Sequence, residues 1–490
     1  MPQRNARSYK TDESFLEKIA IGAIGTKRVF HHLESLNHRP IALDRGSMSF
    51  KLWKAIKIKR LRVPDILCVA SGIRVESRAK TKLEISMSHS TSDPDRGWDY
   101  GLDDADFIAF PLCTKSGDEP VDWEASDLVQ YVNVAALRNA YTQDHVIQEK
   151  PKGAQEGFEI RLTWPCSVAS SPGLISSLSD DRLQFKRNSD NRTITLSLKK
   201  KEILLSPQIS LGDRIQAGQI VASVVPIVSK IPLEEEVNID YYLNLLDSSS
   251  LSDRYAASKA LSYFPDETIE TILVNIINDT KEHIYVKLEA AATLMRMEIH
   301  AGFEFIRNSL ESEYLEHRLE TVIVLSEIKN SPSCQLLKEC LTNQSQHPEI
   351  RAGAAWGLGE LQSEDAISTL IESFLNVDLS IRIEAARSLS KLAELYRPAI
   401  LSTFPDLGTE SRPGVAWAIG KAGGFSLEEL LPLRSDEDAR HWIAYMMGQQ
   451  NPEQYVLQIA KLKDIDPEVY FAINVLWKIL TSWINGLTEY

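Results

Sequence analysis

Residues 351–361 read RAGAAWGLGEL, and residues 382–392 read RIEAARSLSKL. Each stretch opens on an arginine, carries alanines three and four positions later, and places a leucine at the seventh. That spacing gathers the small residues and the leucine on one stripe of a helix. The register extends in both directions. Basic residues recur at Arg254, Lys287, Arg318, Arg351, Arg382, Arg412 and Arg440, in steps of 33, 31, 33, 31, 30 and 28. Seven positions after them stand Leu261, Leu294, Leu325, Leu358, Leu389, Ile419 and Met447. A second apolar helix fits within each unit, as in EDAISTLIESFLN, residues 364–376. A period near thirty with two helices per unit predicts an α-solenoid, in which each pair buries its apolar face only against its neighbours.

This pattern resembles HEAT repeats, in particular the short type of phycobiliprotein-lyase-like proteins, over about 240 residues. The resemblance implies a long surface for a protein partner. The recurring cations could form a ladder along that surface, or each could cap or bridge within the stack; the acidic background favours the second. Residues 231–490 carry 21 basic and 40 acidic side chains. His283, His300, His317, His347 and His441 show no i,i+4 metal pairing and read as surface or packing residues.

The chain has 490 residues, room for two or three domains. Its 43% apolar and 25% charged content is that of a water-soluble fold. No apolar run is long enough to span a membrane, and no secretory signal opens the chain. Five scattered cysteines argue against a disulfide framework or a zinc site, and predict a cytoplasmic protein. Before residue 231 the balance reverses to 33 basic against 28 acidic, and ahead of Asp65 it is 14 against 5. Such asymmetry points the N-terminal part toward an anion, nucleic acid above all, with a solvated basic face as the competing reading.

The expected organisation is a multidomain α+β chain: 1–150 an α/β domain, 151–230 a β-rich domain, and 231–490 the solenoid. In the middle segment, RLQFKRNSDNRTITLSLKKK reads as a hairpin, and Gly212-Asp213 and Gly218-Gln219 mark turns that need a positive φ. The Gly-Asp-x-x-x-x-Gly-Gln phrase resembles the barrel-sandwich hybrid of lipoyl domains and RNA polymerase large subunits. No lysine sits at the Asn-Ser-Asp-Asn tip, so a spacer or nucleic-acid platform is expected rather than a swinging arm.

The N-terminal segment opens on a helix whose apolar positions Phe15, Ile19 and Ala23 recur at helical spacing, with Gly22 and Gly25 weakening it beyond. Residues 73–85 alternate almost strictly: Arg74, Glu76, Arg78, Lys80, Lys82 and Glu84 share one face, and Ile73, Val75, Ser77, Ala79, Thr81, Leu83 and Ile85 the other. Just ahead lies Pro64-Asp65. An acid, a turn, then an acid and a base on the next strand is an arrangement that holds a hard oxygen-seeking cation against a phosphate.

Order and context resemble the PD-(D/E)xK, or restriction-endonuclease-like, nuclease superfamily, over residues 10–112. The resemblance implies Asp65 and Glu76 as ligands of Mg²⁺ or Mn²⁺, with a helical acid, Glu13 or preferably Glu17, as a third. It implies Asp65, Glu76, Arg78 and Lys80 as the catalytic set. Arg78 stands where the family has lysine, with Lys80 one step further on the same face; arginine stays charged and cannot act as a general base. Lys51, Lys54, Lys57, Lys59 and Arg62 are expected to contact nucleic acid, DNA before RNA. His89 could meet phosphate, and Asp99, Asp103, Asp104 and Asp106 are expected to cap turns.

The expected function is a metal-dependent nuclease, hydrolysing phosphodiesters in a DNA-repair or anti-phage defence setting, with a partner-binding arm. The alternative is a non-catalytic nucleic-acid-binding scaffold. A bilin lyase, the literal reading of the repeats, is disfavoured by the extra N-terminal domains.

Overall fold

The computed structural model describes residues 12–44, 61–117, 122–150, 159–264, 266, 268–435, 439–450, 452–468 and 470–471. Described residues up to 264 form one compact unit and those from 266 onward another.

The first unit is built on a five-stranded sheet. Helix α1 (Asp12–Ser35) is followed by β1 (Pro40–Ala42), β2 (Ile66–Cys68), β3 (Arg74–Ser77), β4 (Ile85–Ser90), β5 (Phe107–Lys115) and β6 (Trp123–Asn133). The sheet order is β1-β2-β3-β5-β6, and β3 and β5 are its parallel neighbours. α1 runs straight through both of its glycines: a Cβ on Gly25 would stand 2.5 Å from the Ala79 Cβ. The glycine that weakens the helical pattern thus allows the helix to lie on the sheet. Val29 and Leu33 of α1 bury against Val75, Ala109 and Tyr131.

The other face of the sheet, with Ile108, Phe110 and Val132, is covered by α2 (Val134–Thr142) and by a second sheet. That sheet orders β4 with β7 (Ile147–Glu149) and β8 (Glu159–Trp164) as β4-β8-β7. The alternation of residues 73–85 is therefore one pattern serving two sheets. β3 ends at Ser77, although Lys80 still donates its N–H to Pro111 and accepts from Cys113. β4 then departs to pair with β8. The connection between the parallel strands β3 and β5 thus carries β4 of the second sheet.

The middle segment holds β9 (Cys166–Val168), β10 (Gly173–Ser179), β11 (Arg182–Arg187), β12 (Thr193–Ser197), β13 (Lys199–Lys200), β14 (Ile203–Leu204), β15 (Ser206–Pro207), β16 (Arg214–Ile215) and β17 (Ile220–Ser223). A four-stranded sheet, β12-β11-β10-β16, and a three-stranded one, β15-β17-β9, enclose Ile175, Leu183, Phe185 and Val221. The β11–β12 hairpin turns at Asn-Ser-Asp-Asn, and Gly212 and Gly218 take φ of 87° and 80°, as their turns require. Among the described residues no closed barrel forms.

Helices α3 (Ile239–Leu246) and α4 (Leu251–Ala260), the first pair of the repeat pattern, belong to this same unit. Tyr242 donates to the Val69 carbonyl at 2.8 Å and Tyr255 to that of Leu43 at 3.1 Å. Between β3 and α4 lies a buried ion network. Arg74, 6% exposed, binds both oxygens of Asp106 at 2.9 and 3.0 Å, binds Asp253 at 2.9 Å, and also binds Asp103.

The second unit is a helical stack. It comprises α5 (Thr268–Asn278), α6 (Ile284–Arg296), α7 (His300–Ser309), α8 (Leu315–Leu325), α9 (Ser331–Thr342), α10 (Pro348–Leu361) and α11 (Ile367–Glu372). It continues with α12 (Leu379–Thr403), α13 (Arg412–Ala422), α14 (Leu427–Leu430), α15 (Ala439–Gly448) and α16 (Pro452–Ile465). All seven apolar positions of the register, Leu261 through Met447, are 0% exposed. A Cβ on Gly359 would come 2.5 Å from the Ser388 hydroxyl, so this glycine lets α10 and α12 approach closely.

Among the described residues, four of the basic register positions turn onto backbone carbonyls rather than into an open ladder. Arg254 donates to the Ser248 carbonyl at 2.8 Å, Arg318 to that of Ser312, Arg351 to Leu341 at 2.8 Å and Arg412 to Leu407 at 2.9 Å. Each secures carbonyls of the turn or helix end that precedes it. His283 and His347 accept from Tyr285 and Glu349 N–H groups as helix N-caps.

Replacing Arg74 with methionine leaves Asp106 buried without its counter-charge. We expect the Arg74→Met protein to lose about 3–5 kcal/mol of unfolding free energy in urea titrations followed by tryptophan fluorescence.

Candidate active site

The register of β2 and β3, Ile66 with Val75 and Leu67 with Arg74, sets Asp65 opposite Glu76 at the open end of the pair. The two carboxylates tie the strands reciprocally. Ser77 donates its N–H to Asp65 at 2.7 Å, and the Asp65 N–H donates to Glu76. Burial first, then the charges of Glu76 and Asp44, push Asp65 well above the usual carboxylate range. Burial also raises Glu76, against the opposing pull of Arg78, which bonds it at 2.9 Å.

Asp44 acts on both groups and was not singled out from the sequence. Its signal is its position, just past β1: Leu43 donates its N–H to the Asp65 carbonyl at 2.8 Å, which sets Asp44 beside the pair. Among the described residues no group of three or more His, Cys, Asp or Glu is arranged to hold a metal ion. Glu17 is not among the principal charges acting on either carboxyl.

Arg78 and Lys80 follow Glu76 on the same face and line an adjoining cleft of about 690 Å³. Four more cations line it, Lys18, Arg62, Arg96 and Arg161, against Glu84 and Asp95. Arg161 of β8 is held by Glu84, and Arg96 by Glu159. The Lys80 ammonium donates to the Ser86 carbonyl at 2.5 Å. Burial lowers its pKa to about 8, with Arg78 and Arg161 adding to the shift and Glu84 opposing it. Tyr100, 44% exposed, lines the cleft as well, its hydroxyl bonded to Asp95. A cationic wall with an exposed ring offers contacts to phosphate and to a base.

Of the expected nucleic-acid contacts, Arg62 is in this wall, and Lys51, Lys54, Lys57 and Lys59 lie outside the described residues. His89 accepts from the Trp98 N–H and packs edge-on to Tyr141. The acidic cluster is divided between two arginines: Asp103 and Asp106 hold Arg74, and Asp99 and Asp104 hold Arg138. All five cysteines are free and buried. Among the described residues no helix is long and apolar enough to cross a membrane.

The model of the HEAT repeats family matches residues 303–390 and 341–419. The C-terminal region is a HEAT-like repeat stack. Deoxyhypusine hydroxylase of Debaryomyces hansenii is 30% identical over 119 residues, 24% of this chain and 37% of that protein. The chain thus spans little more than a third of that relative. Among solved structures, the complex of CpcE and CpcF of phycocyanin lyase from Nostoc sp. PCC7120 is 16% identical, covering 52% of this chain and 99% of that one, with a TM-score of 0.26. The archaeal HEAT-like repeats protein from Thermococcus onnurineus NA1 is 17% identical, covering 44% and 97%, with a TM-score of 0.22.

Because their pKa values are raised, Asp65 and Glu76 stay protonated in the folded protein at pH values where the unfolded chain has lost those protons. Their contribution to stability is fully present below the unfolded pKa and is lost as pH rises through the folded one. Asp65→Asn removes that loss while keeping an acceptor for Ser77. In metal-free buffer, the melting temperature of the Asp65→Asn protein should rise relative to wild type, by a margin that grows from pH 5 to pH 8.

Proposed function

We propose that the N-terminal unit is a nuclease-like domain acting on nucleic acid, DNA in the first instance, and that the HEAT-like stack is a partner-binding arm. One observation carries the reading. Two half-buried carboxylates on adjacent strands face each other beside a cationic cleft, to which Arg78 links them, and both resist ionisation. Such a pair is incomplete at neutral pH: it needs either protons or a cation to offset its charge.

Asp65 and Glu76 are oxygen donors that suit Mg²⁺ or Mn²⁺, with the Asp44 charge adding to the pull. Such an ion, when bound, would polarise a phosphate and lower the pKa of a coordinated water. The remaining roles fall to the chain's own groups. Arg62, Arg96 and Arg161 hold phosphate oxygens, and the Tyr100 ring takes a base. Arg78 links Glu76 to the cleft and offers a permanent charge to a phosphate. Lys80, with a pKa of about 8, is a cation at pH 7 and a neutral amine above pH 8. It can therefore position an anion at the lower pH or accept a proton at the higher.

The second reading, a scaffold that binds without cutting, has its own support. Arg78 already neutralises Glu76, and Lys80 is bonded to the Ser86 carbonyl.

The two readings part in a cleavage assay on single- and double-stranded DNA and RNA with Mg²⁺ or Mn²⁺. The nuclease reading expects metal-dependent products, lowered at least about 100-fold in Asp65→Asn and Glu76→Gln proteins that remain folded by circular dichroism. Intact substrates with salt-sensitive binding leave the scaffold. Neither cleavage nor binding removes both.

A readout separate from activity follows from the acids. Mn²⁺ at pH 7.5 should raise the melting temperature of the wild type and leave that of Asp65→Asn nearly unchanged. In the cleft, phosphate-backbone affinity should fall as pH rises through about 8, and Lys80→Met should remove that inflection.

A further inference from the structure

A groove of about 720 Å³ runs between α12 and α13 of the helical stack. Its lining comes mainly from one stripe of each helix, joined by Phe374 and Glu410. Leu379 and Ile383 of α12, 60% and 47% exposed, form its floor with Trp417 of α13. Large aliphatic side chains gathered at this exposure on a repeat surface mark a place that another molecule covers.

The cations indicate the chemistry of that molecule. Arg387 and Lys391 border the groove but are already held, by Glu384 at 2.6 Å and by Glu360. Arg382 on α12 and Lys421 on α13 are exposed on opposite walls, and among the described residues neither has an ion-pair or side-chain hydrogen-bond partner. Arg382 occupies the register position at which Arg254, Arg318, Arg351 and Arg412 each bind a backbone carbonyl. The Arg382 guanidinium lines an apolar groove instead. Among the described residues Glu410 is the one acid in the lining, so the result is a trough of net positive charge on a half of the chain that carries 40 acidic residues against 21 basic.

We propose that this groove docks an acidic segment of a partner protein. A large apolar side chain of that segment sits on Leu379, Ile383 and Trp417, and carboxylates on its two sides reach Arg382 and Lys421. A nucleic-acid strand would satisfy the cations but leave the aliphatic floor without an apolar cover. A two-fold pairing of the groove with itself would bring like-charged walls together. The proposal rests on the stack being a partner-binding arm and is independent of the chemistry at Asp65 and Glu76.

The test uses the full chain and a fluorescein-labelled 14-residue peptide with leucines at i, i+4 spacing and glutamates at most other positions. Three competitors accompany it: a Leu→Ser version, a Glu→Lys version and a single-stranded oligothymidylate. By fluorescence anisotropy the acidic, leucine-bearing peptide should bind, with the serine version about tenfold weaker or worse and the lysine version not binding. Arg382→Glu combined with Lys421→Glu should weaken binding about tenfold, as should Ile383→Glu alone, in proteins whose circular dichroism is unchanged. Both charge changes are at exposed positions, so folding is not at stake.

Absence of binding at millimolar peptide overturns the proposal. So does equal binding of the lysine version, or indifference to Arg382→Glu with Lys421→Glu. Oligothymidylate binding that depends on Arg382 would make the groove a nucleic-acid surface. A dimer in sedimentation that Ile383→Glu dissolves would make it a self-interface. Both outcomes also overturn the proposal.

Discussion

The Arg74 guanidinium is the point on which the N-terminal unit turns. It lies on the same face of β3 as Glu76, is almost wholly buried, and joins three carboxylates from two other segments. Asp103 and Asp106 come from the approach to β5, and Asp253 from α4. A buried cation is tolerable only with its partners in place. The network therefore fixes the register of β3 against β5 and anchors α4 to the sheet. With β3 fixed, Glu76 faces Asp65 and Arg78 emerges at the cleft. The geometry of the candidate site thus depends on a group two residues away that takes no part in its chemistry.

The first helical pair has a related duty. Tyr242 and Tyr255 donate to carbonyls at Val69 and Leu43, which end β2 and follow β1. Leu43 in turn donates to Asp65. A helix pair that the sequence assigns to the solenoid is thereby a brace for the strands that carry the acids. The repeat pattern reports only how its helices pack on each other, so it could not reveal that this pair serves a sheet.

What the sequence makes legible follows from range. The solenoid register is a local pattern repeated, and every apolar position it names is buried. The alternation of residues 74–80 correctly aligns Glu76, Arg78 and Lys80 on one face, because a strand's period does not depend on its neighbours. Pairing across the chain is a different matter. Nothing in the spacing shows that the strand leaves its sheet after Lys80, that Arg161 lies some eighty residues on yet shares a wall with it, or that Asp44 acts on Asp65. Those contacts are set by β-sheet register between distant segments. The acidic cluster at Asp99 to Asp106 was legible as a group but not as two arginine sites, because its cations come from β3 and α2.

The charge at position 78 is fixed. A lysine at that position could shed its proton if desolvated; an arginine cannot. Arg78 keeps a permanent charge against Glu76, and without it burial and Asp44 would raise that carboxyl further. The titratable cation is Lys80, whose pKa burial and two arginines bring to about 8. The two residues thus divide their duties: Arg78 supplies a fixed charge to the acids, Lys80 an adjustable charge to the cleft. Exchanging the two, with lysine at 78 and arginine at 80, would leave the net charge unchanged yet reverse which group titrates. The pH dependence of anion binding would then follow position 78, next to the carboxylates, where a lysine held by Glu76 would keep its proton to higher pH.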